Sequence, residues 1–488
     1  LYQTGADALG FSTNGVLRLT IDSLGRVTTD TNAGQGYVTH KDGGTLTGYI
    51  GSGLGLAASP NNANTDLTVR AVGKLVFCTD NSNAAKMVID TAGALTVGSL
   101  DIGHGANGDD SNVAVGKDAM DNALAGALDN TAIGSGALSG TLTSAADHNT
   151  AVGSSAGGAI ASGTQNSAFG SGALSAACSD NSVAVGFEAL NDFTGNSATA
   201  VGSQAADVAG SQTNLVAVGR NALGVATSGN NNTAVGATSL QTIDGTENVA
   251  VGTNALAADC VSNNSAVGYN ALNAFEGSSA TAIGAYAADV AGSQTNLTAV
   301  GHNALGVATS GNHNTAVGAS SLQTVNGTQN TAVGSNTLAA DCVSYNTAVG
   351  YAALNANTGS YNTSVGRDSL TAFTGNNATA VGASTAVLSV SDLALTAIGY
   401  NALGACNGGD YNTAVGTYSG DGITTGNRNA SLGVWSLSAA ATDDNTGLGY
   451  YALAAFTGSN ATAVGSYAAD SATSAGYLTA VGYGALAA

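Results

Sequence analysis

The chain has 488 residues, with 70 glycines, one proline and one tryptophan, and its 31 acidic residues against 10 basic ones give a formal net charge of −21. Glycine in that abundance without proline excludes collagen and proline-rich linkers. Seven of the ten basic residues lie at or before Lys117, leaving Arg220, Arg367 and Arg428 beyond it, so most of the chain repels phosphate and is expected to bind no nucleic acid.

No run of eighteen apolar residues occurs, which argues against a membrane-spanning helix and predicts no membrane insertion. The chain begins at Leu1 with neither an initiator Met nor a signal-peptide pattern, the expectation for a fragment or a processed form.

Two N-terminal stretches share one plan. "LGFSTNGVLRLTIDSLGRVTT" (9–29) and "LVFCTDNSNAAKMVIDTAGALTV" (75–97) each predict a hairpin with a third strand. They place small β modules at residues 1–33 and 67–100. Residues 34–66, which hold Pro60 and the run "KDGGTLTGYIGSGLGLAASPNNANTD" (41–66), are expected to be a glycine-rich connection.

From residue 101 to 488 the chain repeats one idea, as in "NSAVGYNALNAFEGSSATAIG" (264–284). The signature glycine recurs 23 times from Gly116 to Gly482, at spacings that settle at 16 or 17 residues after two longer early units. A short fixed period marks a solenoid of one coil per repeat.

Counted from that glycine, the residue before it is always apolar, and two before it stands Ala in 20 of 23 copies. Four after it stands Leu in 16. β-Branched residues punctuated by Gly and Asn favour strands, and no 3.6-residue stripe passes through the glycines, which excludes helix. Each coil therefore predicts a strand, a glycine corner, a second short strand ending in Ala-Leu, and a variable polar turn. At about 4.8 Å per step the 22 steps from Gly116 to Gly482 give a shaft roughly 105 Å long.

The strand carries Val and Thr on one face and Ala on the other. A sheet with two apolar or small faces must be covered on both. One face is the coil interior, and the other calls for identical solenoids around a common axis. Threefold symmetry closes three flat faces into a prism; a dimer stays open as an alternative.

Four before the glycine stands Asn in 14 copies, among them Asn130, Asn149, Asn232, Asn314 and Asn412. Stacked on successive coils, these predict an amide ladder in which each side chain bonds the next. The exceptions are ordered: Ala198 with Leu215, Ala280 with Leu297, Ala378 with Leu395, Ala461 with Leu478. A longer repeat of about five coils is superposed, and 197–278 and 279–360 are near copies.

That arithmetic disposes of several candidate sites. Cys178, Cys260 and Cys342 are 82 residues apart, hence about 24 Å apart along the shaft and beyond disulfide reach. Asp207 and Asp289, like Asp259 and Asp341, are separated in the same way, so no acid–base pair follows from spacing. His40, His104, His148, His302 and His313 are scattered through turns without ligand spacing. The expectation is a non-enzymatic chain with no cofactor and no metal.

Tyrosine alone is uneven: three precede residue 50, none lies between 50 and 268, and thirteen follow. Tyr269, Tyr351, Tyr400, Tyr450 and Tyr483 sit directly after the signature glycine, in a column shared with Lys117, Arg220, His302 and Arg367. A column with those charges faces solvent. The five tyrosines are candidate contact residues for a glycan or a protein, against the plainer reading of packing at the corner.

The columns N-T/S-A-V/I-G and x-x-A-L resemble the head repeat of trimeric autotransporter adhesins, a left-handed parallel β-roll. They are still more similar to repeats of bacteriophage tail fibres, as in "YNTAVGYAALNANTGSYNTSVG" (345–366). "LRLTIDSLGRVT" and "KMVIDTAGALTVG" resemble the N-terminal modules of the same fibres. The resemblance covers nearly the whole chain and implies a homotrimeric, structural tail fibre in the virion, attached to other tail proteins and acting in host attachment. The alternatives it leaves are a bacterial cell-surface adhesin of the trimeric autotransporter kind and a glycan-cleaving tailspike. The period exceeds that of the adhesin head, and a chain without an anchor segment after Ala488 is the expectation for a processed fibre or a fragment.

Overall fold

The structure is a computed structural model that describes residues 100–106, 110–226, 228–308, 310–340, 343–390, 393–474 and 476–487, together with the N-terminal strands named below. Among the described residues it is all-β, with no helix, and from residue 113 onward it is a parallel β-solenoid.

Strands Tyr2–Gln3, Leu9–Thr13, Val16–Ile21 and Val27–Thr29 pair antiparallel in that order. Tyr37–Asp42 and Thr45–Ser52 pair with each other, and the second also pairs with Leu67–Ala71. Two strands thus fall in the stretch read from sequence as a connection, whose remainder, with Pro60, lies outside the described residues. Leu75–Phe77, Met87–Ile89, Leu95–Val97 and Leu100–Gly103 form an antiparallel meander. Its last strand pairs antiparallel with Val113–Val115, Ile102 opposite Val115, and so covers the first edge of the shaft sheet.

A three-residue strand ends just before each signature glycine, from Val113–Val115 to Thr479–Val481. Each pairs in parallel with the next, Ala on Ala, as in Ala282 opposite Ala299 and Ala299 opposite Ala316. The Ala side chains point into the coil and are fully buried (Ala282, Ala299, Ala316), whereas the residue before the glycine stays on the outside, 46% exposed at Ile283 and 37% at Val333.

The corner glycine has two reasons to be glycine. Gly284 has φ of +134°, and a Cβ there would lie 2.6 Å from the carbonyl oxygen of Gly301 in the next coil. The signature glycines therefore form a column in which each packs against the following peptide, a contact closed to any side chain.

Past the glycine the structure departs from the sequence expectation: the second short strand before Leu is not formed. Residues two and four after the glycine are left-handed, as Asn270 (φ 53°) and Leu272 (φ 52°), and so is the residue five before it, as Asn263 (φ 66°). That conformation costs about 1 kcal/mol or more per residue. It persists because it turns each N–H along the shaft. Asn263 N–H donates to Thr246 O at 3.0 Å and Asn270 N–H to Thr253 O at 3.1 Å in the preceding coil, and Leu272 N–H to Ala287 O at 2.9 Å in the following one. The turns thus carry inter-coil hydrogen bonds as the strand does, and the Leu side chains go inside, fully buried in every coil but the last, where Leu486 is exposed. A second strand does appear farther on within the near copies, at Val208–Ala209, Val225–Ala226 and Thr242–Ile243 and again at Val290–Ala291, Val307–Ala308 and Thr324–Val325.

The Asn column is buried and axial, but its bonds differ from the expected ladder. Asn346 Oδ1 accepts from the backbone N–H of Asn362 at 3.0 Å, and its Nδ2 donates to Gly359 O at 2.9 Å. The side chain thus serves the backbone of the next coil, because the residue four before each glycine turns its N–H toward the coil below. Amide-to-amide bonds are fewer, as from Asn149 Nδ2 to Asn130 Oδ1 at 3.1 Å.

The five-coil superperiod has a packing cause. Phe193, Phe275, Phe373 and Phe456 are fully buried, each seven residues after its glycine. The next coil carries Ala in the Asn column (Ala198, Ala280, Ala378, Ala461) and Ala in the Leu column (Ala206, Ala288, Ala386, Ala469), all buried. One large ring in one coil is matched by two small residues in the next, which keeps interior volume constant. Where Leu215 then replaces Asn, buried Gln212 donates to Ala226 O at 2.8 Å and supplies an amide instead.

Gly301→Ala is expected to lower stability by at least about 2 kcal/mol, through the disallowed φ and the contact with the next coil, read as a drop in thermal midpoint. Asn346→Ala leaves the buried Asn362 N–H without its acceptor, while the Gly359 carbonyl keeps Asn357 Nδ2 as a donor, and should cost about 2 kcal/mol. The exposed Ser474→Ala, at a position of ordinary φ, should stay within about 0.5 kcal/mol of the parent.

Candidate functional site

Because interior columns are filled by Ala, Leu, Phe and Asn, chemistry is left to the outward columns. The five candidate tyrosines all lie on the surface, from 44% exposed at Tyr450 to 82% at Tyr483. The corner glycine turns the chain off the strand face immediately before them.

The structure does not treat the five alike. Tyr269 meets Tyr286 edge to face, ring centroids 5.3 Å apart, and Tyr286 in turn meets His302 at 6.0 Å. Tyr351 takes no part in these groups. Tyr400, Tyr450 and Tyr483 are joined into one array by rings that sequence reading passed over, those of Tyr418, Trp435, Tyr451 and Tyr467, each two residues after its glycine.

Tyr400 stands at 80° to Tyr418, and Tyr418 stacks on Trp435 at 4.1 Å and 10°. Trp435 and Tyr451 are 6.2 Å apart, Tyr451 and Tyr467 5.7 Å, and Tyr467 meets Tyr483 at 6.0 Å and 78°. Tyr450 closes on Tyr451 at 4.5 Å and stands at 84° to Tyr467. The array crosses the six coils with glycines 399 to 482. The left-handed turn positions it, since Tyr418 N–H donates to Tyr400 O and Tyr467 N–H to Tyr450 O, at 2.9 and 2.8 Å. A hydrogen bond with Tyr400 raises the Tyr418 phenol above its ordinary range, and desolvation among the rings raises Tyr451 and Tyr467. A separate stacked pair, Tyr345 on Tyr361 at 4.8 Å and 3°, occupies the column five before the glycine.

The remaining titratable residues form no comparable assembly. Cys178 and Cys260 are buried free thiols and Cys406 is buried as well, and burial pushes Cys178 up to about 12 and Cys260 up to about 11. Cys78, Cys342 and Asp341 lie outside the described residues, as does the side chain of His40. His148 Nε2 lies 3.5 Å from Asp129 Oδ2 on the surface. Among the described residues no three His, Cys, Asp or Glu side chains converge as metal ligands, and no helix is long and apolar enough to cross a membrane. Arg428 forms a surface fork with Asp444, Nε to Oδ1 at 2.7 Å and Nη2 to Oδ2 at 3.0 Å.

Asp207, Asp289 and Asp421 each stand five after their glycine, and burial raises all three carboxyls, Asp421 to about 6. The buried Oδ1 of Asp421 has no hydrogen-bond partner. A carboxyl raised in the folded state stabilises the fold fully below its unfolded value and loses that contribution as pH rises through the folded one. Asp421→Asn is therefore expected to flatten the fall in thermal midpoint between pH 3.8 and about 6, while leaving the acid side unchanged.

Comparison with protein-family models, with curated proteins and with solved structures returned no match to this chain, so the functional reading rests on the residues and geometry above.

Proposed function

We propose that this chain is the shaft of a homotrimeric bacteriophage tail fibre, a structural part of the virion that extends a host-recognition surface and performs no catalysis. Its partners are two further copies of itself, other tail proteins, and a glycan or protein of the host surface.

The observation that carries the reading is the column just before the glycine. Ile133, Phe169, Val185, Val201, Val251, Val267 and Ile283, and on to Leu432 and Leu448, remain exposed along the shaft on the outer face of the strand ladder. An apolar stripe of that length is uncommon on a protein that stays alone in water. A straight stripe on a flat face is self-complementary along its whole length, which suits copies of the same chain packed in parallel around an axis. Rigidity then comes from repetition, and the shaft needs no active site to do its work.

Light scattering on the purified protein should give three times the chain mass, and small-angle scattering should give an elongated particle whose shaft accounts for about 105 Å. Val333→Asp together with Val349→Asp should break the trimer or abolish soluble expression, whereas Ser335→Asp in the column after the glycine should not. A stable, soluble monomer of the parent chain overturns the assembly. An outer-membrane anchor encoded in the flanking gene sequence would move the same shaft to a bacterial surface.

A further inference from the structure

We infer that the aromatic array on the last six coils, Tyr400 to Tyr483, is a binding rail for an uncharged, extended glycan chain lying along the shaft. The inference rests on the proposed fibre for its setting and gives its contact surface a ligand class; the two fail separately, since saccharide binding tests the rail and light scattering tests the assembly.

Three features of the array select that ligand. The first is ring orientation. Tyr418 and Trp435 lie nearly parallel, 10° apart and one coil apart, so their ring normals run close to the shaft axis. Tyr400 stands at 80° to Tyr418, so its plane lies along the axis. Tyr450 and Tyr483 stand at 84° and 78° to Tyr467, which stacks on Tyr451 at 21°, and are turned across that second stack in the same way. Tyr400, Tyr450 and Tyr483 are also the most exposed members. A ring set in that way offers a face sideways to a chain that runs with the shaft, and its negative π-face attracts the C–H groups on the flat side of a pyranose.

The second is spacing. Tyr400 and Tyr450 are three coils apart and Tyr450 and Tyr483 two, about 14 Å and about 10 Å along the axis. One coil step is close to the length of one pyranose unit in an extended chain, so successive rings fall under whole sugar units. The phenol hydroxyls of the stacked rings supply donors and acceptors beside the chain.

The third is charge. In the two columns after the glycine, the six coils carry Tyr400, Asn401, Thr417, Tyr418, Val434, Trp435, Tyr450, Tyr451, Ser466, Tyr467, Tyr483 and Gly484, with no charge among them. Earlier coils place Lys117, Asp118, Glu188, Arg220, Arg367 and Asp368 in the same columns. Within the same six coils, Asp410, Asp421, Asp443, Asp444 and Asp470 outnumber Arg428, a balance that disfavours nucleic acid and acidic glycans. A protein partner would call for separate anchors in pockets, whereas here the rings form one continuous surface. The turn backbone is already pinned by hydrogen bonds between coils, so little ordering opposes binding.

Trp435 is the sole tryptophan of the chain and sits within the rail, so its emission reports binding directly. Purified full-length chain is titrated with neutral hexasaccharides of β-1,4-glucan, β-1,4-linked N-acetylglucosamine and α-mannan, and with a hexamer of galacturonic acid as the anionic arm. At least one neutral probe should shift Trp435 emission saturably, and the anionic one should not. Tyr400→Ser, Tyr450→Ser and Tyr483→Ser combined should weaken that binding at least tenfold with circular dichroism unchanged. Tyr345→Ser with Tyr361→Ser, in another column, should bind as the parent does. The proposal is overturned if no neutral probe moves the emission, if the galacturonate binds as well as the best neutral one, or if the triple variant binds undiminished. Should the triple variant lose its fold, Tyr450→Ser alone replaces it, read for at least a threefold loss.

Discussion

Everything in this molecule depends on backbone hydrogen bonds that run along the shaft from one coil to the next. A coil of sixteen or seventeen residues buries nothing by itself, and its polar backbone groups find partners only in its neighbours. The strand meets that condition in the ordinary way, by parallel pairing. The turns meet it by holding Asn, Leu and Tyr in the left-handed region, where each N–H points up or down the axis. Coils must then approach at strand spacing around much of their perimeter, which leaves no room for a Cβ at the corner. Glycine at the corner, Ala inside the strand and Asn four before the glycine all answer that one requirement.

Much of this was legible because a solenoid writes its geometry into columns. Period, strand position and the division of each strand into an Ala face and a Val face could be read from spacing alone, since period-2 alternation and a fixed repeat leave few alternatives; that the Ala face points inward is shown by the structure. The turn after the glycine was misread for a physical reason. Ala-Leu is apolar and suggests a strand, whereas the structure buries Leu272 from a left-handed residue, a conformation that sequence statistics assign to Gly and Asn. The Asn ladder was placed in the right column with the wrong partner, since a column shows which residues are near one another and not which atoms turn toward them.

The site divides along the same line. Tyr400, Tyr450 and Tyr483 stood out by position, directly after the glycine. Their partners Tyr418, Trp435, Tyr451 and Tyr467 repeat two residues after it, and that offset was a usable signal left unread among turn residues. Repetition also explains how such a surface arises. One aromatic residue in one coil is a lone exposed ring; the same choice in successive coils makes a stack, because the scaffold sets their separation before any side chain is chosen.

The buried phenylalanines carry a consequence for how such a gene can change. Each Phe coil fits the Ala coil that follows, the Ala coil is followed by a Leu coil, and the Leu coil opens a run of Asn coils that leads to the next Phe. Slippage that duplicates or deletes a whole block leaves every junction of a kind already present, and alters the reach by about 24 Å. An Asn coil can be added among its like with equal impunity: four stand between Leu297 and Phe373, where three stand between Leu215 and Phe275. Loss of the Ala coil alone would set Phe193 against Leu223, two large groups where one fits. Inheritance can therefore tune the length of this protein in discrete increments, with selection on interior volume acting as the proofreader.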